Sequence, residues 1–311
     1  MKTTKKNLSD QGLGIKSSRK TKRMVDSKGS FTVKRSGAKL TVKQIYEVLV
    51  SLSPGGFFLL MLVSYFGLNL LFALMYVFIG LDQLSVGPQS SLSDAFLYAF
   101  YFSFQTFTTV GYGGIHPIAW QANIVASLET FTGLLFFAIA SALVYGRLSK
   151  PKARLMFSRN VLFAPYQEGK GLMFRVANAS RGSLIEVEAT VMLTYLEKGK
   201  EGFSRKYFDL SLERKSVLFF PLNWTLVHPI TEESPLWNKN LEFVHDNQVE
   251  IIIQIKGFDE TFAQTVQSRH SYVYEDFIGN ARFLPAYVID EQGDIELDLN
   301  KIHDFEILEA K

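Results

Sequence analysis

Two apolar membrane spans flanking a short re-entrant segment, followed by a C-terminal all-β sandwich, form the fold this sequence predicts. Three observations predict it. Charge is segregated: residues 1–47 carry thirteen Lys and Arg against Asp10, Asp26 and Glu47, whereas residues 48–146 hold no Lys or Arg and only Asp82, Asp94 and Glu129 as acids. The surface of an average soluble domain is about a quarter charged, so a block of this length without cations belongs in lipid. Within the block, two long uncharged runs are separated by loop-forming residues. Beyond Pro151 the hydrophobic period becomes two: Ile185, Val187, Ala189, Val191 and Leu193 alternate with Glu186, Glu188, Thr190, Met192 and Thr194, the pattern of a half-buried strand.

Residues 1–39 are rich in Lys, Ser, Thr and Gly with little periodicity and are expected to be a basic, disordered tail. From Leu40 to Leu52 apolar residues recur at helical spacing, predicting an amphipathic segment at the membrane interface. Ser53, Pro54, Gly55 and Gly56 break it. Phe57–Gly80 is an uncharged run of 24 residues, about 36 Å as a helix, enough to cross a hydrocarbon core of about 30 Å. Ser93 is expected to cap a helix over Ala95–Phe107, which is too short to span. The second span runs from Trp120 to Leu148, and Arg147, Lys150, Lys152 and Arg154 cluster at its end. With the basic tail before the first span, this places both termini in the cytoplasm by the positive-inside rule and the chain in the cell membrane. The basic tail is explained by topology and anionic lipid rather than by nucleic acid. The sequence has no cysteine, which excludes disulfides and thiolate metal sites. Further strands are expected at 161–163, 172–177, 217–220 and 249–255, and a hairpin at 287–290 with 295–299, together an immunoglobulin-like sandwich.

Between the spans, where a re-entrant loop must lie, stand Thr108, Thr109, Val110, Gly111, Tyr112 and Gly113. Gly111 and Gly113 adopt positive φ without steric cost, which lets successive carbonyl oxygens of an extended loop face one side. Four such loops around an axis replace the hydration shell of a potassium ion with rings of oxygen. The carbonyls of Thr109, Val110, Gly111 and Tyr112 and the Thr109 hydroxyl are the expected ion ligands, with Gly113 closing the filter. A Gly-Tyr-Gly triplet alone is often only a turn, but its setting between two spans and after a short helix favours the filter. Irregular backbone at membrane depth survives only inside protein or beside water, so the reading requires an oligomer. The negative C-terminal end of the short helix favours a cation nearby.

The order of several blocks resembles the prokaryotic inward-rectifier potassium channels, the KirBac type of the Kir family, over about residues 40–305. The blocks are Pro54, Ser93–Phe96, Thr109–Gly113 with His116 and Pro117, Leu128 and Glu129, Arg147 with Lys150 and Pro151, Met156–Ser158, Trp224–Ile230, Ser234–Leu236, Ala263 and Gln264, and Arg269 with His270. The resemblance implies a homotetramer: a slide helix and pore domain over 40–150, and a cytoplasmic β-sandwich over 151–311 that extends the ion path. It implies potassium as the transported ligand, no cofactor and no enzymatic activity. His228, His245 and His270 lack nucleophile or metal spacing. Tyr145 matches a constriction at the bundle crossing, although Tyr at that depth also serves as an interfacial belt residue. Gly133 matches a hinge glycine, although glycine is also frequent in spans for close packing. The stretch Phe262–Ser268 matches a cytoplasmic constriction and is expected to be a loop.

Two positions depart from the family. Gln105 stands where members commonly have a pore-helix glutamate, and Ile115 where eukaryotic relatives have the arginine that pairs with it. The filter is therefore expected to be supported by Gln105 and Thr108 without an ion pair. Glu129 is either a substitute brace behind the filter or a cavity-facing, solvated acid. Phe137 occupies the cavity position at which strong rectifiers carry an acid or amide, which implies weak rectification. Arg147, Lys150, Lys152 and Arg154 match the segment that binds phosphoinositide or other anionic phospholipid. The competing reading from another class is a non-conducting, membrane-anchored β-domain that serves as an interaction module.

Overall fold

The structure is a computed structural model that describes residues 16–17, 23–26, 29–33, 41–87, 91–149, 153–180, 182–199 and 202–309. It comprises two compact units, residues 37–150 and residues 1–36 with 151–311.

The first unit is helical: α1 (Val42–Ser51), α2 (Pro54–Ile79), α3 (Leu92–Phe107) and α4 (Trp120–Leu148). Thr41 and Gln44 form a capping box that starts α1, which satisfies two end donors reciprocally. Pro54, expected to break the chain, instead occupies the first turn of α2 behind the N-cap Ser53, a position where its missing N–H costs nothing. The most apolar stretches of α2 and α4 have mean hydropathies of 2.2 and 1.8, and only 22% and 17% of these stretches is buried by protein. A soluble core helix of that apolarity would be mostly buried; these faces suit lipid. Where the three long helices meet, Phe72, Ala73 and Tyr76 of α2 pack with Ala99 and Phe102 of α3 and Ala122 and Val125 of α4. The cap of α3 is Ser91 rather than the expected Ser93: the Ser91 hydroxyl accepts the Asp94 N–H at 3.1 Å and donates to its carboxylate at 2.9 Å. The three-residue spacing from N-cap to N3 favours Ser91, so the helix begins three residues earlier than Ala95.

Among the described residues the second unit contains fifteen short strands, β1 (Lys16–Ser17), β2 (Leu155–Phe157), β3 (Val161–Tyr166), β4 (Gly169–Asn178), β5 (Leu184–Gly199), β6 (Gly202–Asp209), β7 (Ser216–Phe219), β8 (Asn223–Ile230), β9 (Glu250–Asp259), β10 (Gln264–Val273), β11 (Phe277–Gly279), β12 (Ala281–Phe283), β13 (Tyr287–Ile289), β14 (Ile295–Leu297) and β15 (Phe305–Ile307). One sheet runs β1-β6-β5-β9-β10 with β7 on β5; the other runs β11-β3-β4-β2 with β8 on β4. Their inner faces share a core that includes Phe174, Leu226, Leu193, Ile253 and Tyr272, the layered arrangement of a sandwich. The expected hairpin is the β13–β14 ribbon.

Three expectations are corrected here. The alternation over β5 slips: a register shift lies between Ile185 and Glu188, Glu186 takes φ 50°, and Leu184 rather than Ile185 is buried with Val187. A bulge adds one residue and so reverses which side chains face inward. Of the stretch Phe262–Ser268 expected as a loop, only the turn up to Ala263 is irregular; Gln264–Ser268 begins β10 and pairs with Ser268↔Ile255 through Gln264↔Asp259. Finally, the tail expected to be disordered is ordered where it is described. β1 pairs with β6, Val25 is fully buried, the Met24 N–H donates to the Glu250 carboxylate at 2.9 Å, and Arg23 donates to the Ser271 hydroxyl at 2.9 Å and to its carbonyl. Glu250 is also paired with buried Arg205 at 3.6 Å, so the basic segment meets a buried acid.

His270 stacks on Phe157 at 4.7 Å. Burial, reinforced by the Arg23 charge, lowers it from the ordinary 6.5 to about 4. Between these values the unfolded chain binds the proton and the folded one does not, so stability rises with pH across that window. Acidifying the detergent-solubilised protein from neutral pH toward about 4 should therefore lower its melting temperature, and the slope should be shallower in His270→Phe, which keeps the ring stack. An equal slope in both proteins would exclude this histidine as a source.

Candidate functional site: a braced loop after the re-entrant helix

α3 stops at Thr108, whose hydroxyl turns back to the Phe104 carbonyl at 2.8 Å. The next five residues have no regular structure, and every second one has positive φ: Thr109 60°, Gly111 53° and Gly113 82°. For the glycines this is free. For Thr109, a β-branched residue, it is an outlier that persists only where the surroundings hold it.

Gln105 does the holding. Its carbonyl oxygen accepts the N–H of Val110 at 2.9 Å and of Gly111 at 3.3 Å, and its side-chain Oε1 accepts the N–H of Tyr112 at 3.1 Å. Gln105 is buried. In a trans peptide the N–H and C=O point to opposite sides. With the N–H groups of 110, 111 and 112 turned back to α3, the carbonyls of Thr109, Val110 and Gly111 face away from it. Thr109, Val110, Gly111, Tyr112 and Gly113 are all exposed in the single subunit.

Glu129 is not the cavity-facing, solvated acid of one expectation. It is fully buried and accepts from the Tyr76 hydroxyl at 2.7 Å, while Ser103 lies 2.5 Å from its other oxygen. These hydrogen bonds go to α2 and α3, not to the 109–113 loop, so it holds the short helix directly and the loop through it. Gly133 packs so close to α3 that a Cβ there would collide with the Phe107 carbonyl, which favours the close-packing reading over the hinge. Gly133→Ala should displace the last turn before the loop, an overpacking cost of about 1–3 kcal/mol, seen as a lower melting temperature; normal melting would contradict this contact.

Phe137 is 44% exposed, with its ring against Tyr65, Phe107 and Phe136. Tyr145 is 74% exposed on α4. Arg147 is used differently from the expectation: its guanidinium donates to the carbonyls of Leu49, Val50 and Leu52 at 3.2, 3.1 and 2.9 Å and lies over the Phe57 ring at 4.6 Å. It thereby satisfies end carbonyls of α1. Arg154 is exposed; Lys150 and Lys152 lie outside the described residues. The sequence did not point to Asn69, Ser103 and Tyr76. A serine within an aromatic helix and a tyrosine in a span were the available signals.

His228 lies between the Ser211 carbonyl at 2.6 Å and the Ser234 hydroxyl at 2.8 Å, with burial pushing it down from its ordinary value. It ties a turn to β8. Among the described residues no cluster of His, Asp and Glu could hold a metal ion.

Two apolar spans, a short helix between them and a loop whose Thr109, Val110 and Gly111 carbonyls face away from that helix define a two-span ion channel. The ion channel family model matches residues 58–150, and that of the inward rectifier potassium channel C-terminal domain matches residues 155–310. Inward rectifier potassium channel Kirbac3.1 of Paramagnetospirillum magnetotacticum is 32% identical over 294 residues, 94% of this chain and 98% of that protein. G protein-activated inward rectifier potassium channel 4 of Homo sapiens is 28% identical over 224 residues, 68% of this chain and 52% of that protein. Inward rectifier potassium channel 4 of Homo sapiens is 28% identical over 223 residues, 68% of this chain and 49% of that one; the match spans about half of each human relative. The chain belongs to the inward rectifier potassium channel family, on its prokaryotic KirBac side. It is a membrane-located potassium channel, and its family conducts ions rather than catalysing a reaction.

Proposed function

We propose that four copies of this chain place their Thr109–Gly113 loops around one axis, where the carbonyls of Thr109, Val110, Gly111 and Tyr112 and the Thr109 hydroxyl coordinate dehydrated potassium. The observation that carries this reading is the collection of three filter N–H groups by Gln105 alone, because it forces the carbonyls to the opposite side. Passage is selective and passive. Tyr145, exposed near the end of α4, narrows the bundle at the cytoplasmic side, and both termini are cytoplasmic. Phe137 offers little attraction to a cationic blocker, so rectification from the membrane pore is weak. Liposomes containing the purified protein should pass potassium in preference to sodium and be blocked by barium; equal passage of both ions, or none, would reject the proposal in favour of a membrane-anchored interaction module.

Anionic lipid, including phosphoinositide, acts on Lys150, Lys152 and Arg154, each worth about 1 kcal/mol at the inner leaflet. Arg147 is left out of that set in favour of a structural part, since three of its hydrogen bonds go to carbonyls of residues 49–52. Neutralising Lys150 and Lys152 together should shift the phosphoinositide dose response by about tenfold or more, two charges at about 1 kcal/mol each; Arg147→Ala should instead loosen α1 and alter open probability without lipid. An unchanged dose response in the double variant would discard the lipid site.

A further inference from the structure

We propose that Glu129 is a neutral carboxylic acid in the folded channel, and that it positions the re-entrant helix by donating a hydrogen bond to Ser103. The argument is a count of protons. Four fully buried side chains meet between the long helices: Asn69 and Tyr76 of α2, Ser103 of α3 and Glu129 of α4. Three close oxygen–oxygen contacts join them: Tyr76 Oη to Glu129 Oε2 at 2.7 Å, Ser103 Oγ to Glu129 Oε1 at 2.5 Å, and Ser103 Oγ to the Asn69 backbone oxygen at 2.9 Å; a fourth, longer one runs from Ser103 Oγ to Asn69 Oδ1 at 3.4 Å, on the same side as the Asn69 backbone oxygen, and adds no call for a separate proton. Each contact at such distances needs one proton. Tyr76 and Ser103 have one hydroxyl proton each, and a backbone carbonyl has none. If Glu129 were ionised, the Ser103 proton could serve only one of its two acceptors, and the other contact would press lone pair against lone pair. With the third proton on Glu129 the set closes: Tyr76 donates to Oε2, the carboxyl O–H donates to Ser103, and Ser103 donates to Asn69. The amide of Asn69 is already engaged, donating to the Tyr65 carbonyl at 2.8 Å.

The charge inventory agrees. Residues 48–146 contain no Lys or Arg, and the other carboxyls of this block are Asp82, beyond the end of α2, and Asp94, in the first turn of α3. Tyr76 is the titratable group that α2 brings to Glu129, and Ser103 is the contact from α3. A buried carboxylate without a cation costs several kcal/mol, whereas a carboxylic acid with matched partners does not. Ser103 is two residues before Gln105 on the same helix, so the bond that fixes the depth of α3 also fixes the filter brace. Glu129 is in this sense a positioning residue. Its effect on conduction rests on the filter reading above; its protonation does not.

The isostere Glu129→Gln has the same donor and acceptor set as the neutral acid, with its amide NH2 toward Ser103 and its oxygen toward Tyr76. In liposomes it should keep potassium flux and potassium-over-sodium selectivity within about twofold of wild type, because no buried group loses its partner. Glu129→Leu strands Tyr76 and Ser103 and should lose about tenfold or more. Independently, infrared spectra of the wild-type channel in lipid at neutral pH should contain a protonated-carboxyl C=O stretch that Glu129→Gln lacks. A variant Glu129→Gln that assembles but conducts as poorly as Glu129→Leu, or the absence of that band from wild type, would overturn the proposal. A wild-type protein that passes no potassium would overturn the filter reading alone, since the infrared band still decides the state of Glu129.

Discussion

Replacing Gly111 with alanine is expected to abolish potassium flux while leaving the assembled protein intact. Gly111 holds φ 53°, and a Cβ added there meets no atom of its own subunit within 4 Å. The cost is therefore conformational. A left-handed alanine costs roughly 1–2 kcal/mol, about 4–8 kcal/mol over the four copies proposed above. The chain escapes that strain by rotating the peptide, which turns a carbonyl away from the axis and an N–H toward the ion. Either outcome spoils an ion site, and at about 1.4 kcal/mol per decade flux should fall by more than about 100-fold. Size-exclusion chromatography should give the same elution volume as wild type, which separates loss of the site from loss of the fold. Flux near wild type would mean that positive φ at this position is not needed.

The second large effect is expected at Gln105. Leucine preserves the backbone carbonyl that receives Val110 and Gly111, but removes the Oε1 that receives the Tyr112 N–H. A buried N–H left without an acceptor costs about 1–3 kcal/mol. The Tyr112 peptide is then free to turn, and potassium-over-sodium selectivity should drop by about tenfold or more, since 1.4 kcal/mol is a decade. Glutamate at the same position still offers an acceptor and should retain selectivity. Leucine and glutamate variants with equal selectivity would contradict the brace.

Features that a single stretch of chain dictates were legible in the sequence. The spans follow from the absence of cations between residues 48 and 146, and the loop from Gly111 and Gly113, which are needed only where φ is positive. The features that were not legible depend on what the rest of the chain brings near. β8 contains Pro229, which argues against an interior strand, yet it sits off the main path of its sheet, on β4. β6 shows Arg205 and Lys206 where a strand core should be apolar, and Arg205 is buried against Glu250 and Thr194. The inward parity of β5 reverses at a bulge that no local pattern announces. Gly133 reads equally as hinge or spacer until the Phe107 carbonyl is found beside it. The role of Glu129 required the three helices to be assembled, because Asn69 and Tyr76 are far from it along the chain and offer no recognisable spacing. Arg147 was counted with the lipid-facing cations because the run 147–154 matches the family's lipid-binding segment; the carbonyls that it meets come from residues 49–52.

The measurement that bears most directly on the central claim is a cryo-electron microscopy reconstruction of the protein in lipid nanodiscs with potassium present. Four Thr109–Gly113 segments should converge on a shared fourfold axis, their carbonyls inward, with density peaks for dehydrated ions stacked between rings of oxygen. Segments lying apart from any shared axis, each packed against its own subunit and without ion density, would contradict the account.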